Sequence, residues 1–359
     1  VLAPAGDFHE RIQAVALIPG ATEYGLSPAR VIRDIRPGER ETLNRHVLYG
    51  ESDFAASLDE LQALCPGLRH VALVVPWFAD DLRAGHCRIE PGVTERTMPG
   101  VRRTWSVAGI ERGQARLVSR TGGRAAYDGT PDDRSVTDAI RDLAARGLKV
   151  AFYPFLLMDI PSGNGLPDPW GGDGQAPFPW RGRITGAVAP GRPGSPDGSA
   201  AIRAELAEFL GRGDGPGTVR LAGSPDCPGA ANEAGYRRMI LHYARLCAEA
   251  GGVDAFLLGS ELRGLTSLRD EAGVFPFVHG LRELAREVRA ILGAGTKITY
   301  GADWSEYFGH HPADGSGDVF FHLDPLWANA EIDFIGVDNY MPTADWRDGY
   351  AHTGALSGA

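Results

Sequence analysis

Apolar runs that end in polar or aromatic side chains constrain this chain more than any other feature. They occupy Val71–Phe78, Lys149–Met158, Val253–Glu261, Lys297–Trp304 and Ile332–Tyr340. A strand that is apolar at nearly every position is buried on both faces, the pattern of a parallel sheet covered by helices. Between the runs, apolar residues recur three or four apart, as on one face of a helix. Phe54, Leu58, Leu61 and Leu64 follow Ser52 as an N-cap and precede Gly67 as a stop. Val136, Ile140 and Leu143 follow a start at Asp133 or Ser135 and precede Gly147; Tyr236, Met239, Ile240, Tyr243 and Leu246 repeat the spacing. Further helices are expected near 198–211, 277–292 and 326–330. Strands alternating with helices predict an α/β fold with a parallel sheet and helices outside it.

The pieces Thr104–Gly109 and Gln114–Val118 are taken as a second barrel strand with a hairpin extension, which brings the count to about six strands. Eight strands close a (β/α)8 TIM barrel. The expected architecture over residues 52–359 is therefore TIM-barrel-like and incomplete at its C-terminal end, with about six of eight strands. Residues 1–51 are expected to be a linker or the end of a preceding module. Within them, Ile12–Ile18 has strand character and Ser27–Ile32 has the cap and N1 proline of a short helix. Residues 160–198 break the rhythm with Gly, Pro, Asp and Trp. They are too aromatic for a disordered linker, and a long ordered loop over the barrel mouth is expected.

Composition narrows the function classes. A net charge of -10 with no Lys/Arg stripe argues against nucleic acid as the main partner. No apolar stretch approaches the ~20 residues of a membrane-spanning helix. Val1-Leu2-Ala3-Pro4 lacks the basic and apolar regions of a signal peptide, and the chain reads as an excised or processed piece. Cys65, Cys87, Cys227 and Cys247 form no CxxC pair, so buried thiols are expected rather than a zinc site, with a Cys65–Cys87 bridge the alternative. No cofactor or metal is expected.

Chemistry is expected where the strands end, because in a TIM barrel all strand C-termini open on one face. The candidates there are Trp77, Tyr153, Asp159, Ser260, Glu261, Asp303, Trp304, Asp338, Asn339 and Tyr340. Aromatic faces stack on sugar rings, and carboxylates bind hydroxyls or move protons. Glycoside hydrolysis needs two carboxylates, ~5–5.5 Å apart when the second is a nucleophile. Glu261 is the natural acid/base, since it follows a wholly apolar strand; the competing reading is a helix-start carboxylate complementing the dipole. Asp338 is either a site carboxylate or a turn residue. Asp303 is the weaker candidate because it also suits a helix cap, and Trp170 and Trp180 read more readily as loop anchors than as groove walls. His310-His311 is expected to be solvated.

Phe256-Leu257-Leu258-Gly259-Ser260-Glu261-Leu262-Arg263-Gly264-Leu265 resembles the fourth-strand segment of the glycoside-hydrolase TIM-barrel-like domain of gene transfer agent and phage-tail hub proteins. Phe334 to Pro342 resembles its sixth strand; Lys149–Phe155 and Tyr300–Trp304 fit the third and fifth. The resemblance covers roughly residues 52–350. It implies a barrel similar to clan-A glycosidases, within a baseplate hub of a phage-like particle assembled in the bacterial cytoplasm. Its implied partners are a cell-envelope glycan and other tail proteins. The acid/base position of those enzymes matches Glu261. The residue before it is usually an Asn that binds the sugar 2-hydroxyl, and here it is Ser260. Their nucleophile, at the end of strand seven, has no counterpart before residue 359. Two functions follow: a retaining hydrolase of envelope polysaccharide or peptidoglycan glycan, or a structural or carbohydrate-binding domain with a degenerate site. A free-standing metabolic glycosidase is the third and least expected.

Overall fold

The computed structural model describes residues 8–18, 22–211, 235–312 and 314–340. Its main sheet contains β1 (Ala14–Leu17), β2 (His70–Ala79), β3 (Lys149–Met158), β4 (Ala255–Ser260), β5 (Lys297–Asp303) and β6 (Gly336–Asp338), joined in that order. Every pairing along this path is parallel. A doubly wound sheet reverses its order at a switch point. Here each new strand joins the same side, which is the winding of a barrel, and the arrangement is a (β/α)8-type barrel open between β6 and β1 among the described residues.

Helices fill the crossovers. α1 (Asp53–Leu64) precedes β2 and α2 (Asp133–Ala145) precedes β3; α3 (Ala201–Leu210) and α4 (Tyr236–Glu249) precede β4. α5 (Arg263–Thr266) and α6 (Pro276–Leu292) precede β5, and α7 (Trp304–Tyr307) and α8 (Asp324–Trp327) precede β6. Ser52 caps α1 through Ala55 N, as its position suggested, and Asp132 caps α2 through Ser135 N. Each cap satisfies an amide that the first helical turn leaves unpaired.

The burial of β3 shows which way its residues point. Val150, Phe152, Pro154, Leu156 and Met158 are buried, and Phe152 meets Tyr243 of α4 with ring centroids 5.1 Å apart. That face lies under the helices. Ala151, Tyr153, Phe155 and Leu157 alternate with it, face the barrel interior and are half-buried. At the bottom of the sheet one device occurs twice. Asp254 donates its amide to Val150 O (2.9 Å) and accepts Val150 N on its carboxylate (2.9 Å). Asp333 does the same with Ile298, at 2.9 and 2.7 Å.

Three expectations about the first third of the chain are corrected. The segment read as a linker contributes the first strand, with Ala14–Leu17 in register with His70–Leu73. The strand character of Ile12–Ile18 was in the sequence; that so short an edge strand pairs with the barrel was not. The helix expected from Ser27 does not form; Ile32–Arg36 pairs instead with Glu39–Thr42 as a hairpin. The buried Asn44 amide donates to Ser27 O and Ala29 O and accepts from Val31 N, engaging the backbone in a non-helical path. Thr104–Gly109 is also not a barrel strand. Ser106–Val107 pairs only with Ile110–Glu111, and Arg116–Leu117 pairs with Gly92–Val93, in sheets separate from the barrel. The second barrel strand is β2.

The N-terminal segment is locked by charge to the extension between β2 and α2. The Glu23 carboxylate pairs with Arg112 and accepts Thr94 N at 2.8 Å. The Arg112 guanidinium lies 5.9 Å from the Tyr24 ring centroid and 5.8 Å from that of Trp105. Removing one partner of a buried pair leaves the other charge uncompensated, at a cost of about 3–5 kcal/mol. Glu23→Ala is therefore expected to lower unfolding stability by that amount, read as a shifted urea midpoint; a change under ~0.5 kcal/mol would show that the network holds nothing. Cys65, Cys87 and Cys247 are buried free thiols, so the bridge between Cys65 and Cys87 does not form; Cys227 lies outside the described residues.

Candidate functional site

The site is built on an irregularity at the end of β4. The register with β5 shifts between Leu257 and Ser260. Gly259 has φ +120°, and a Cβ there would lie 1.6 Å from the Tyr236 hydroxyl, which donates to Leu258 O at 2.7 Å. Only glycine tolerates that backbone and that neighbour. Two residues later Glu261 also adopts a left-handed conformation, φ +54°, uncommon for a residue with a side chain. Its amide bonds to Gly301 O (2.8 Å), and the next amide, Leu262 N, bonds to the Tyr300 hydroxyl (2.7 Å). The turn is thus held at two successive peptides.

Residues 160–198 form the expected ordered loop, and they contribute two side chains to the site. Trp180 donates its indole N–H to Glu261 Oε2 at 2.5 Å while remaining 40% exposed. Buried Arg181 places Nη2 3.1 Å from the same oxygen and 2.7 Å from Ser260 Oγ, and its Nε donates to Ser260 O at 2.9 Å. Its guanidinium lies 3.9 Å from the Phe155 ring centroid. The loop reaches α5 at Gly264, where a Cβ would meet Ile184 O at 2.3 Å and Gly182 O at 2.9 Å. That close approach explains the glycine three residues after Glu261.

Tyr153 and Asp338 complete the cluster. The Tyr153 hydroxyl donates to Asp338 Oδ2 at 2.7 Å and lies 2.5 Å from Ser260 Oγ. Burial raises the Tyr153 pKa, so the phenol stays protonated. Gly301 separates the two sides: a Cβ there would meet Ser260 Cβ at 3.0 Å and Asp338 Oδ2 at 3.3 Å. Tyr153 and Ser260 thus join Asp338 to the Arg181 guanidinium that pairs with Glu261. Burial pushes the Glu261 carboxyl above the usual glutamate range; Arg181 and the Trp180 N–H pull it down, and the Asp338 charge adds to the rise. The net direction is upward, toward an acid that keeps its proton.

The predicted residues separate into two groups. Tyr153, Ser260, Glu261 and Asp338 come together. Tyr340 is 70% exposed; partial burial, and then the Glu261 and Asp338 charges, raise its pKa. Asn339 is exposed beside them, and Met341-Pro342 lie outside the described residues. Trp77 is not at the mouth: it is fully buried on the helix side, 6.1 Å from the Tyr243 ring, because strand alternation turns it outward. Asp159 is buried against Arg116 (3.1 Å) and accepts Ser119 N (3.1 Å), anchoring the neighbouring extension. Asp303 caps α7, accepting Ser305 N at 3.0 Å in a capping box with Glu306. Trp304, half-buried, packs edge-on against Phe308 with centroids 5.9 Å apart. Trp170 is a loop anchor as read, donating to Arg183 O at 2.9 Å. His310, expected in solvent, is half-buried and bonded through its backbone to Phe320.

Arg181 was missed by sequence reasoning and Trp180 was underweighted. The only signal was the aromatic density of Phe178-Pro179-Trp180 just before an arginine. Among the described residues, no group of three or more His, Cys, Asp or Glu side chains is placed to hold a metal ion. The cluster offers a carboxyl with a raised pKa, a second carboxylate beside it, a cation and a half-exposed indole. Those groups can donate a proton and bind hydroxyls.

Comparison with known proteins bears on the barrel. The chain is similar to a GH113 beta-1,4-mannanase solved as a complex, at 16% identity and TM-score 0.37, covering 77% of this chain and 53% of that one. It is also similar to the GH113 beta-mannanase of Alicyclobacillus acidocaldarius in complex with ManMIm, at 15% identity and TM-score 0.34, covering 75% and 50%. The chain thus spans about half the length of these structures. No curated protein sequence matches it. Residues 234–359, which carry α4 to β6 and with them Ser260, Glu261 and Asp338, match the family of GTA TIM-barrel-like domains, the gene transfer agent version of the barrel whose winding the sheet displays.

Proposed function

We propose that the strand-end face of this barrel is a carbohydrate site of a phage-tail or gene-transfer-agent hub, in which Glu261 protonates a glycosidic oxygen of an envelope polysaccharide or peptidoglycan glycan. The observation that carries this reading is the Glu261 carboxyl: buried, raised above its usual range, and oriented by Trp180 N–H and Arg181. A general acid for glycoside cleavage needs that raised pKa and that fixed aim. Trp180 presents a partly exposed ring beside the carboxyl, a natural surface for a sugar ring. Asp338 accepts the Tyr153 hydroxyl and takes a binding role rather than the nucleophile's.

A second reading, glycan binding without turnover, is favoured by one detail. By the family resemblance Ser260 takes the position of the usual Asn ligand of the sugar 2-hydroxyl, and its Oγ is already engaged by Tyr153 and Arg181. The two readings separate in one experiment. The protein is incubated with purified peptidoglycan and envelope polysaccharide, and new reducing ends are measured beside retention of glycan. Hydrolysis predicts reducing ends that fall about 10²–10⁴-fold in Glu261→Gln. Retention without reducing ends leaves the binding reading; neither signal sinks the carbohydrate assignment.

A further inference from the structure

The geometry points to Tyr300 and Glu306 as positioning residues for Glu261: the pair pins the peptide after Glu261 and thereby aims its carboxyl at Trp180 and Arg181. This rests on Glu261 being the working carboxyl of the site.

Glu261 needs such support because its left-handed backbone is strained and persists only where the surroundings over-determine it. The Tyr300 hydroxyl accepts Leu262 N–H at 2.7 Å and stands 3.3 Å from both oxygens of Glu306, to which it donates. Glu306 is held in turn by the Thr266 hydroxyl (2.6 Å) on α5 and by Asp303 N (2.7 Å) at the end of β5. All these groups are buried. The partners of Glu306 are neutral donors, an expensive setting for a carboxylate. A four-residue helix such as α7 does not require a carboxylate at that depth to be capped. What the arrangement does accomplish is to fix the phenol rotor of Tyr300, so that its lone pair faces Leu262 N. The relay thus links β5, α5 and α7 to the one turn that sets the carboxyl's direction.

The test uses the indole N–H of Trp180 as the reporter, because it donates directly to Glu261. In ¹H–¹⁵N spectra of the whole chain this resonance is assigned by its loss in Trp180→Phe. It is expected to lie downfield and to move with pH, and that movement is expected to vanish in Glu261→Gln. In Tyr300→Phe the resonance is expected to shift toward a free indole and to stop following Glu261. Thr266→Val, which removes one tether of Glu306, is expected to shift it partway and decides the matter if Tyr300→Phe does not fold. Val288→Ala, a buried truncation on α6, serves as the control for general destabilisation and is expected to leave the resonance unchanged. A folded Tyr300→Phe with the wild-type shift and titration, or an unmoved Thr266→Val, overturns the proposal. The readout needs no turnover. A coupled indole in a protein that neither binds nor cleaves glycan would sink the proposed function and leave the positioning intact.

Discussion

Gly259→Ala is expected to abolish stable folding of the barrel under ordinary conditions. Three costs fall on one methyl group. The backbone at φ +120° is accessible to glycine and strained for alanine by about 1–3 kcal/mol. The new Cβ would occupy the place of the Tyr236 hydroxyl, 1.6 Å away, so a fully buried ring stacked on Phe209 must move, for about another 1–3 kcal/mol. Moving it breaks the bond to Leu258 O and leaves buried polar groups unpaired, about 1–3 kcal/mol more. Costs on shared atoms are not strictly additive, but a loss beyond about 4 kcal/mol is expected, enough to unfold many domains. The check is a double-mutant cycle. Tyr236→Phe removes the clashing oxygen, so Gly259→Ala should cost clearly less in that background. Equal costs in both backgrounds would mean that the tyrosine does not enforce the glycine.

Stability should tilt with pH in opposite directions in two single variants. Burial raises Glu306 from 4.5 to about 7. Between those values the folded state holds a proton that the unfolded chain has released, so this group makes stability fall as pH rises, by about 3 kcal/mol in all. His322 is the reverse. Burial lowers it from 6.5 to about 4, so the unfolded chain takes up a proton that the folded state refuses, and stability rises with pH across that window. The two contributions oppose each other from about pH 4.5 to 6.5, and wild-type stability should vary little between them. The groups are physically joined, His322 Nε2 lying 3.3 Å from the Thr266 hydroxyl that donates to Glu306. Glu306→Gln should unmask the histidine and give stability that rises with pH. His322→Gln should unmask the glutamate and give stability that falls. Urea midpoints measured from pH 4 to 8 decide it: parallel profiles in the two variants would refute both assignments.

Much of the barrel was legible because buried parallel strands leave continuous apolar text, and β2 to β6 all lie within or at the edge of such runs. β1 was legible as a strand within Ile12–Ile18 but not as part of the barrel: four residues at an edge, alternately exposed and half-buried, lack the continuous apolar text of the others. The site was legible where chemistry and strand ends coincide, at Tyr153, Ser260, Glu261 and Asp338. Trp77 shows the limit of that rule. Lying near a strand end does not say which face a side chain takes, and a one-residue difference turns it from the mouth to the helices. Asp303 looked ambiguous and resolved into a cap because Glu306 stood three residues on, a pattern present in the sequence. Arg181 could not be read at all. It arrives from a loop whose path is set by the tertiary approach to Gly264, and no local periodicity encodes that path.

The paired bonds of Asp254 with Val150 and of Asp333 with Ile298 have a consequence far from where they form. A strand residue advances about 3.3 Å, so Tyr153 stands about 10 Å above Val150. The height at which its phenol meets Ser260 and Asp338 is decided at the opposite end of the sheet, by which peptides those two aspartates clamp. Strand length in this barrel therefore behaves as a ruler with both ends engaged. Adding or deleting one residue between clamp and cluster would exchange the inward and outward faces of the strand beyond it, so the phenol, the serine and the carboxylates would no longer meet.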